Sequence, residues 1–90
     1  MAEVIITIKI MPESLETELK GVEKEAKDYI NKYGEVGKVE MEEVAFGLKA
    51  INLTFVVDEN KGGTDELEDL IRNIDGVGSA EVTDVRRAIG

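Results

Sequence analysis

The stretch Val4-Ile5-Ile6-Thr7-Ile8-Lys9-Ile10-Met11 decides how the chain is read. Val4, Ile6, Ile8 and Ile10 fall on one side of it, and Ile5, Thr7, Lys9 and Met11 on the other. A period of two, with one side wholly aliphatic and the other mixed, is the pattern of a strand that buries one face. The pattern returns at Ile51, Leu53, Phe55 and Val57, which alternate with Ala50, Asn52, Thr54 and Val56. Two long apolar strands of this kind take interior places in a sheet, so the segments around them must supply its edges and its cover.

Working outward, Pro12 stops the first strand, Ser14 caps a helix, and Glu16 and Glu18 put negative charge near the helix's positive N-terminal end. Leu15, Leu19, Val22, Ala26, Tyr29 or Ile30, and Tyr33 then recur at three- and four-residue spacing as an apolar stripe, with Gly34 at the left-handed position that ends it. Val36 to Val44 is β-rich but carries Glu40, Glu42 and Glu43, which suits an edge strand. Ala45-Phe46-Gly47 turns the chain into the second apolar strand, and Asp58 to Gly63 is a polar, glycine-rich loop. Thr64 reads as the cap of a second helix with Asp65 and Glu66 in its first turn; Leu67, Leu70, Ile71 and Ile74 form its stripe and Gly76 its end. Val77 to Arg86 is the fourth strand.

An internal repeat supports this order. Val36-Gly37-Lys38-Val39-Glu40-Met41-Glu42-Glu43-Val44 and Val77-Gly78-Ser79-Ala80-Glu81-Val82-Thr83-Asp84-Val85 share four of nine residues, and each follows a helix ended by glycine. The element order β-α-β-β-α-β implies an α+β fold: a ferredoxin-like split β-α-β sandwich with a four-stranded antiparallel sheet of order 4-1-3-2 and both helices on one face. The 90 residues are expected to form one domain, 1–90. The open face is expected to carry Thr7, Lys9, Asn52, Thr54, Glu81 and Thr83, or their neighbours if the parity slips by a residue. The hairpin around Ala45 to Gly47 belongs at one end of the sheet and the C-terminal tail at the other, roughly 20 Å away for strands of about six residues.

Composition removes most chemistry. With no cysteine and no histidine there is no thiol nucleophile, no zinc-thiolate site and no imidazole base. Twenty acidic against 11 basic residues give a formal net charge of −9, which opposes binding to nucleic acid or anionic membranes and favours a basic protein partner. Met1-Ala2-Glu3 carries no basic or apolar leader, so a cytoplasmic location is expected. Asp58 to Gly63 departs from a calcium loop at its fifth and twelfth positions, Gly62 and Asp69, and reads as a solvated connection. Gly62-Gly63-Thr64 lacks the lysine and spacing of a nucleotide loop, and Glu42-Glu43 and Asp65-Glu66 read as solvated charges. No catalytic or metal-binding residue and no cofactor are assigned.

Two features remain. Phe46, at a glycine-flanked tip, either staples the core or projects as an interface anchor. Arg86 and Arg87, ending the last strand of an acidic chain, either balance Asp84 and nearby acids or engage a carboxylate or phosphate on a partner.

Three separated segments then point to a family. Val4-Ile5-Ile6-Thr7-Ile8-Lys9-Ile10-Met11-Pro12-Glu13-Ser14, Ala45-Phe46-Gly47-Leu48 and Glu81-Val82-Thr83-Asp84-Val85-Arg86-Arg87 together make the whole chain resemble the archaeal translation elongation factor 1-beta family. The resemblance implies a guanine nucleotide exchange factor without covalent chemistry, a monomer when free, whose partner is the GTPase elongation factor 1-alpha and whose target is that partner's magnesium and phosphate site. It implies partner contacts at Ala45, Phe46, Gly47 and Leu48, and at Thr83, Asp84, Arg86 and Arg87 in a tail that runs to Gly90 and acts as a wedge. Eukaryotic proteins similar to this one place a functional lysine beside the C-terminus. Here Arg86-Arg87-Ala88-Ile89-Gly90 holds none, leaving Arg86 or Arg87 to supply the charge. The alternative function on the same fold is a small-molecule or metal-sensing regulatory module. An RNA-binding reading is disfavoured by an open face without stacking aromatics.

Overall fold

The computed structural model describes residues 3–45, 47–58 and 64–88. These form β1 (Glu3–Pro12), α1 (Leu19–Ile30), β2 (Gly34–Ala45), β3 (Leu48–Asp58), α2 (Thr64–Arg72) and β4 (Val77–Ala88). The strands make one antiparallel sheet of order β2-β3-β1-β4, which is the ferredoxin-like topology the element order implies. The apolar strands β1 and β3 sit in the middle, and the two related segments, β2 and β4, are the edges.

Both helices lay their stripes on one face of the sheet. Ile6, Ile8 and Ile10 of β1 and Ile51, Leu53 and Phe55 of β3 meet Val22, Ala26 and Ile30 of α1 and Leu67 and Ile71 of α2, and all are at most 3% exposed. Full burial of each large aliphatic or aromatic side chain stabilises the fold by ~1.5–3 kcal/mol. No polar or charged residue is buried among the described residues, so this core incurs no desolvation cost.

The open face is held by polar cross-strand pairs. Thr7 and Thr54 face each other with their hydroxyl oxygens 3.2 Å apart. The Asn52 amide donates to Glu42 at 2.9 Å, and the Lys9 ammonium lies 3.9 Å from the same carboxylate, so the edge strand β2 is tied to both central strands. Glu81 lies opposite Lys9 as its alternation requires. Thr83 has no partner in the β1–β4 register: Ile8 pairs with Val82 and Thr7 with Asp84, so Thr83 is the extra residue of a β-bulge.

The repeat also has a structural basis. Gly37 and Gly78, its shared second residues, are both skipped in the ladders, because Val36 and Lys38 pair with Phe55 and Thr54, and Val77 and Ser79 pair with Pro12 and Met11. Each edge strand therefore starts with a bulge at the same position of the repeated motif.

Three expectations require correction. The first helix begins at Leu19 rather than around Leu15, and Ser14 caps a separate turn: its Oγ accepts from the Glu16 amide at 3.2 Å, and its own amide donates to Thr17 Oγ1 at 3.2 Å. β1 does end at Pro12, which itself still pairs with Val77. Gly76 takes a left-handed φ of 94° after α2, but Gly34 does not; it is the first residue of β2, and a Cβ there would collide with the Val56 carbonyl. Glycine at 34 serves close strand approach rather than helix termination. Thr64, expected as a cap, is the first helical residue of α2.

Gly34→Ala is expected to destabilise the protein by ~1–3 kcal/mol or more, because the clash is with backbone that cannot rotate away. Urea unfolding followed by circular dichroism checks this, with Gly21→Ala as a control because nothing lies within 4 Å of a Cβ at that position.

Candidate functional site

The strands are longer than the helices that cover them. Strands of 10 to 12 residues rise by ~3.3 Å per residue, whereas the 12 residues of α1 and nine of α2 rise by ~1.5 Å each. The sheet therefore overhangs its cover, and the molecule measures 42 × 20 × 17 Å. The separation between its working ends exceeds the 20 Å expected from six-residue strands. Both groups of candidate residues lie on the overhangs.

At one end β2 turns into β3. Ala45 pairs with Leu48 across the tip, Gly47 has φ 82°, and Phe46 lies outside the described residues. Beside this tip runs the segment connecting β1 to α1. It is anchored rather than loose: the Glu13 amide donates to the Gly76 carbonyl at 2.7 Å, and the Thr17 hydroxyl donates to the same oxygen at 3.3 Å. Its bonds leave Leu15 outside α1 and 66% exposed, next to Gly47. Leu15, Pro12, Leu19 and Leu48 line a shallow depression of ≈ 60 Å³. Small-molecule sites occupy several hundred Å³, so this surface suits the side chain of a macromolecule.

Leu15 is the residue that periodicity misplaces. It stands four residues before Leu19 and counts as one more position of the helical stripe. The tertiary bonds from Glu13 and Thr17 to Gly76 show that its segment belongs to the α2–β4 turn.

At the other end β4 runs out along β1, with Arg86 opposite Ile5, Arg87 opposite Val4 and Ala88 opposite Glu3. Val85 and the Arg86 side chain are 60% and 77% exposed, so this stretch is not folded under the helices. The Arg86 guanidinium pairs with Asp84 at 2.8 Å, the internal balance that the sequence allows for. Because of the bulge at Thr83, Asp84 and Arg86 lie on the open face of the sheet, while Val85 and Arg87 turn to the helical side.

The structure thus gathers Ala45, Gly47 and Leu48 with Leu15, gathers Asp84 with Arg86, and keeps the two groups at opposite ends. The acidic pairs do not form sites. Glu42 and Glu43 alternate to opposite faces, opposite Ala50 and Lys49, and Asp65 and Glu66 are exposed in the first turn of α2. Of the Asp58 to Gly63 loop, 59–63 lies outside the described residues.

Comparison with known proteins gives the following. The family model described as the EF-1 guanine nucleotide exchange domain matches residues 5–88. The elongation factor 1-beta of Methanothermobacter thermautotrophicus is 44% identical over 87 residues, covering 97% of this chain and 98% of that protein. The proteins of the same name from Halobacterium salinarum and Staphylothermus marinus are 36% and 34% identical, at 97% of this chain and 99% and 98% of theirs. Among solved structures, the ACT domain of a GTP pyrophosphokinase from Chlorobium tepidum superposes with a TM-score of 0.61 at 19% identity, over 90% of this chain and 99% of that one, which is a likeness of fold alone.

Leu15→Ala is expected to change stability by less than ~0.5 kcal/mol, as for an exposed residue. Leu67→Ala, at 1% exposure, is expected to cost ~2–5 kcal/mol. Paired urea titrations separate the two.

Proposed function

The chain belongs to the EF-1 guanine nucleotide exchange domain family, and on that premise we propose that residues 1–90 act as one exchange unit, speeding GDP release and GTP rebinding on elongation factor 1-alpha. The observation that carries this reading is the family match over residues 5–88, nearly the whole chain. The exposed ends of the sheet, in a molecule 42 Å long, support it.

The reaction needs no covalent step. A protein that binds the GTPase better without nucleotide than with it must, by linkage, weaken nucleotide binding by the same factor. Coupling of ~1–3 kcal/mol corresponds to roughly 5–150-fold in affinity. In this reading Ala45 to Leu48, with Leu15, dock on one part of the partner. Thr83, Asp84, Arg86, Arg87 and the residues beyond reach the magnesium and phosphate site of another. Arg86 is solvated enough to exchange Asp84 for an oxygen ligand of that site. Neither exchange nor docking assigns direction; an excess of GTP over GDP does.

The rest of the reading follows from charge and partner. A net charge of −9 opposes direct RNA contact and favours a monomer in isolation, through self-repulsion. No helix among the described residues is long and apolar enough to cross a membrane, and a partner that works in translation supports a cytoplasmic location.

Stopped-flow release of a fluorescent GDP analogue from the archaeal GTPase tests this, and no acceleration at saturating protein overturns it. Phe46→Ala and Leu15→Ala are expected to raise the half-saturating concentration by ~5–30-fold with the maximal rate kept, as losses of apolar side chains proposed to contact the partner. Arg86→Ala combined with Arg87→Ala is expected to lower the maximal rate instead.

A further inference from the structure

An edge strand presents unpaired backbone groups along its outer side, and β4 has some of these groups bonded by side chains from α2. Ile8 and Ile10 stand opposite Val82 and Ala80, two residues of the same parity. Both turn backbone groups outward: the Val82 amide donates to Glu68 Oε2 at 2.9 Å, and the Ala80 carbonyl accepts from Arg72 Nη2 at 3.2 Å. The same Arg72 nitrogen lies 2.9 Å from Glu68 Oε1, and Nη1 lies 2.8 Å from Asp69. Glu68 and Arg72 therefore form a two-point clasp that mimics a neighbouring strand along Ala80 to Val82.

The position of the clasp matters. Val82 is the last residue before the bulge, and Thr83, the inserted residue, donates its hydroxyl to the Thr7 carbonyl at 3.4 Å. The chain is thus held on its outer side just before the insertion and on its inner side at it. That insertion decides that Asp84 and Arg86 share the open face while Val85 and Arg87 take the other. Losing the bulge, with Thr83 taken into the ladder opposite Thr7, would slip the β4 end by one residue and exchange the two arginines between faces.

We infer that Glu68 and Arg72 are positioning residues for nucleotide exchange, holding the bulge at Thr83 so that each arginine of the β4 end meets the partner on its proper face. The inference rests on the proposed exchange reading, in which this end of β4 acts on the GTPase. It adds that α2, which supplies none of the candidate contact residues, sets the maximal rate without setting affinity.

The test measures exchange and amide protection together in the full chain. Glu68→Ala is expected to lower the maximal exchange rate by roughly 3- to 30-fold while the half-saturating concentration stays within about twofold. Glu68→Gln, which keeps an oxygen acceptor for the Val82 amide, should recover at least half of the lost rate. Hydrogen exchange should show protection lost by about tenfold or more at Val82 to Asp84, with the amides of β1 and β3 that pair with each other unchanged. Deleting Thr83 removes the bulge but leaves Asp84 opposite Thr7 and both arginines on their present faces, so in a chain that still folds by circular dichroism it is expected to make exchange independent of the clasp and to restore the rate lost in Glu68→Ala. Lys38→Ala, at the far edge, serves as the unaffected control. A wild-type rate in Glu68→Ala, or no recovery of its lost rate when Thr83 is also deleted, would overturn the inference, as would a rate loss matched by uniform loss of protection. If the wild-type protein itself fails to accelerate release, the exchange reading falls; if it succeeds and Glu68→Ala matches it, only the positioning role falls.

Discussion

The pairing of β1 with β3 is the constraint from which the other features of the molecule follow. Eight consecutive residues of β1, Glu3 to Ile10, oppose Asp58 to Ile51 without a register shift, and their apolar faces coincide. A slip of one residue would turn Ile6, Ile8 and Ile10 to water and bring Thr7 and Lys9 into the core, so this register has no competitor of similar energy. The two helices add their stripes to a surface that this pair defines. The edge strands, by contrast, tolerate bulges because an extra residue at an edge disturbs one ladder instead of two.

The division between a regular centre and irregular edges suits the proposed reading, in which two distant ends of one sheet meet the partner together. The two central strands pair without a register shift, while each edge strand changes its side-chain parity through inserted residues. The tie from Thr17 to Gly76 and the clasp from Glu68 and Arg72 to β4 work in the same way. In each, a side chain on one connection or helix fixes the backbone of another, at the borders of the regular sheet, where ladder bonds no longer do so.

Much of this was legible in the residues. The alternation in β1 and β3, the glutamates of β2 and the apolar stripes of the two helices specify element order, edges and topology. The three motifs point to the same family as the whole-chain match. Less legible were the details that place candidate residues. Leu15 satisfies helical spacing and yet lies outside the helix, because short side-chain bonds at Ser14 and Thr17 compete with the first helical turn. Gly34 and Gly76 look alike in sequence; one permits close strand approach and the other a left-handed turn, a difference set by what packs against each.

Periodic burial depends on neighbours three, four or two positions away, so the sequence by itself determined the strands, the helices, their apolar faces and hence the order of the sheet. The overhang of long strands beyond short helices, the exposure of Leu15 and the bulge at Thr83 depend on contacts between residues far apart in the chain, such as Thr83 with Thr7 and Glu68 with Val82. Tertiary structure alone decided which face each residue of the β4 end presents, because one inserted residue inverts the alternation and nothing local to Thr83 announces it.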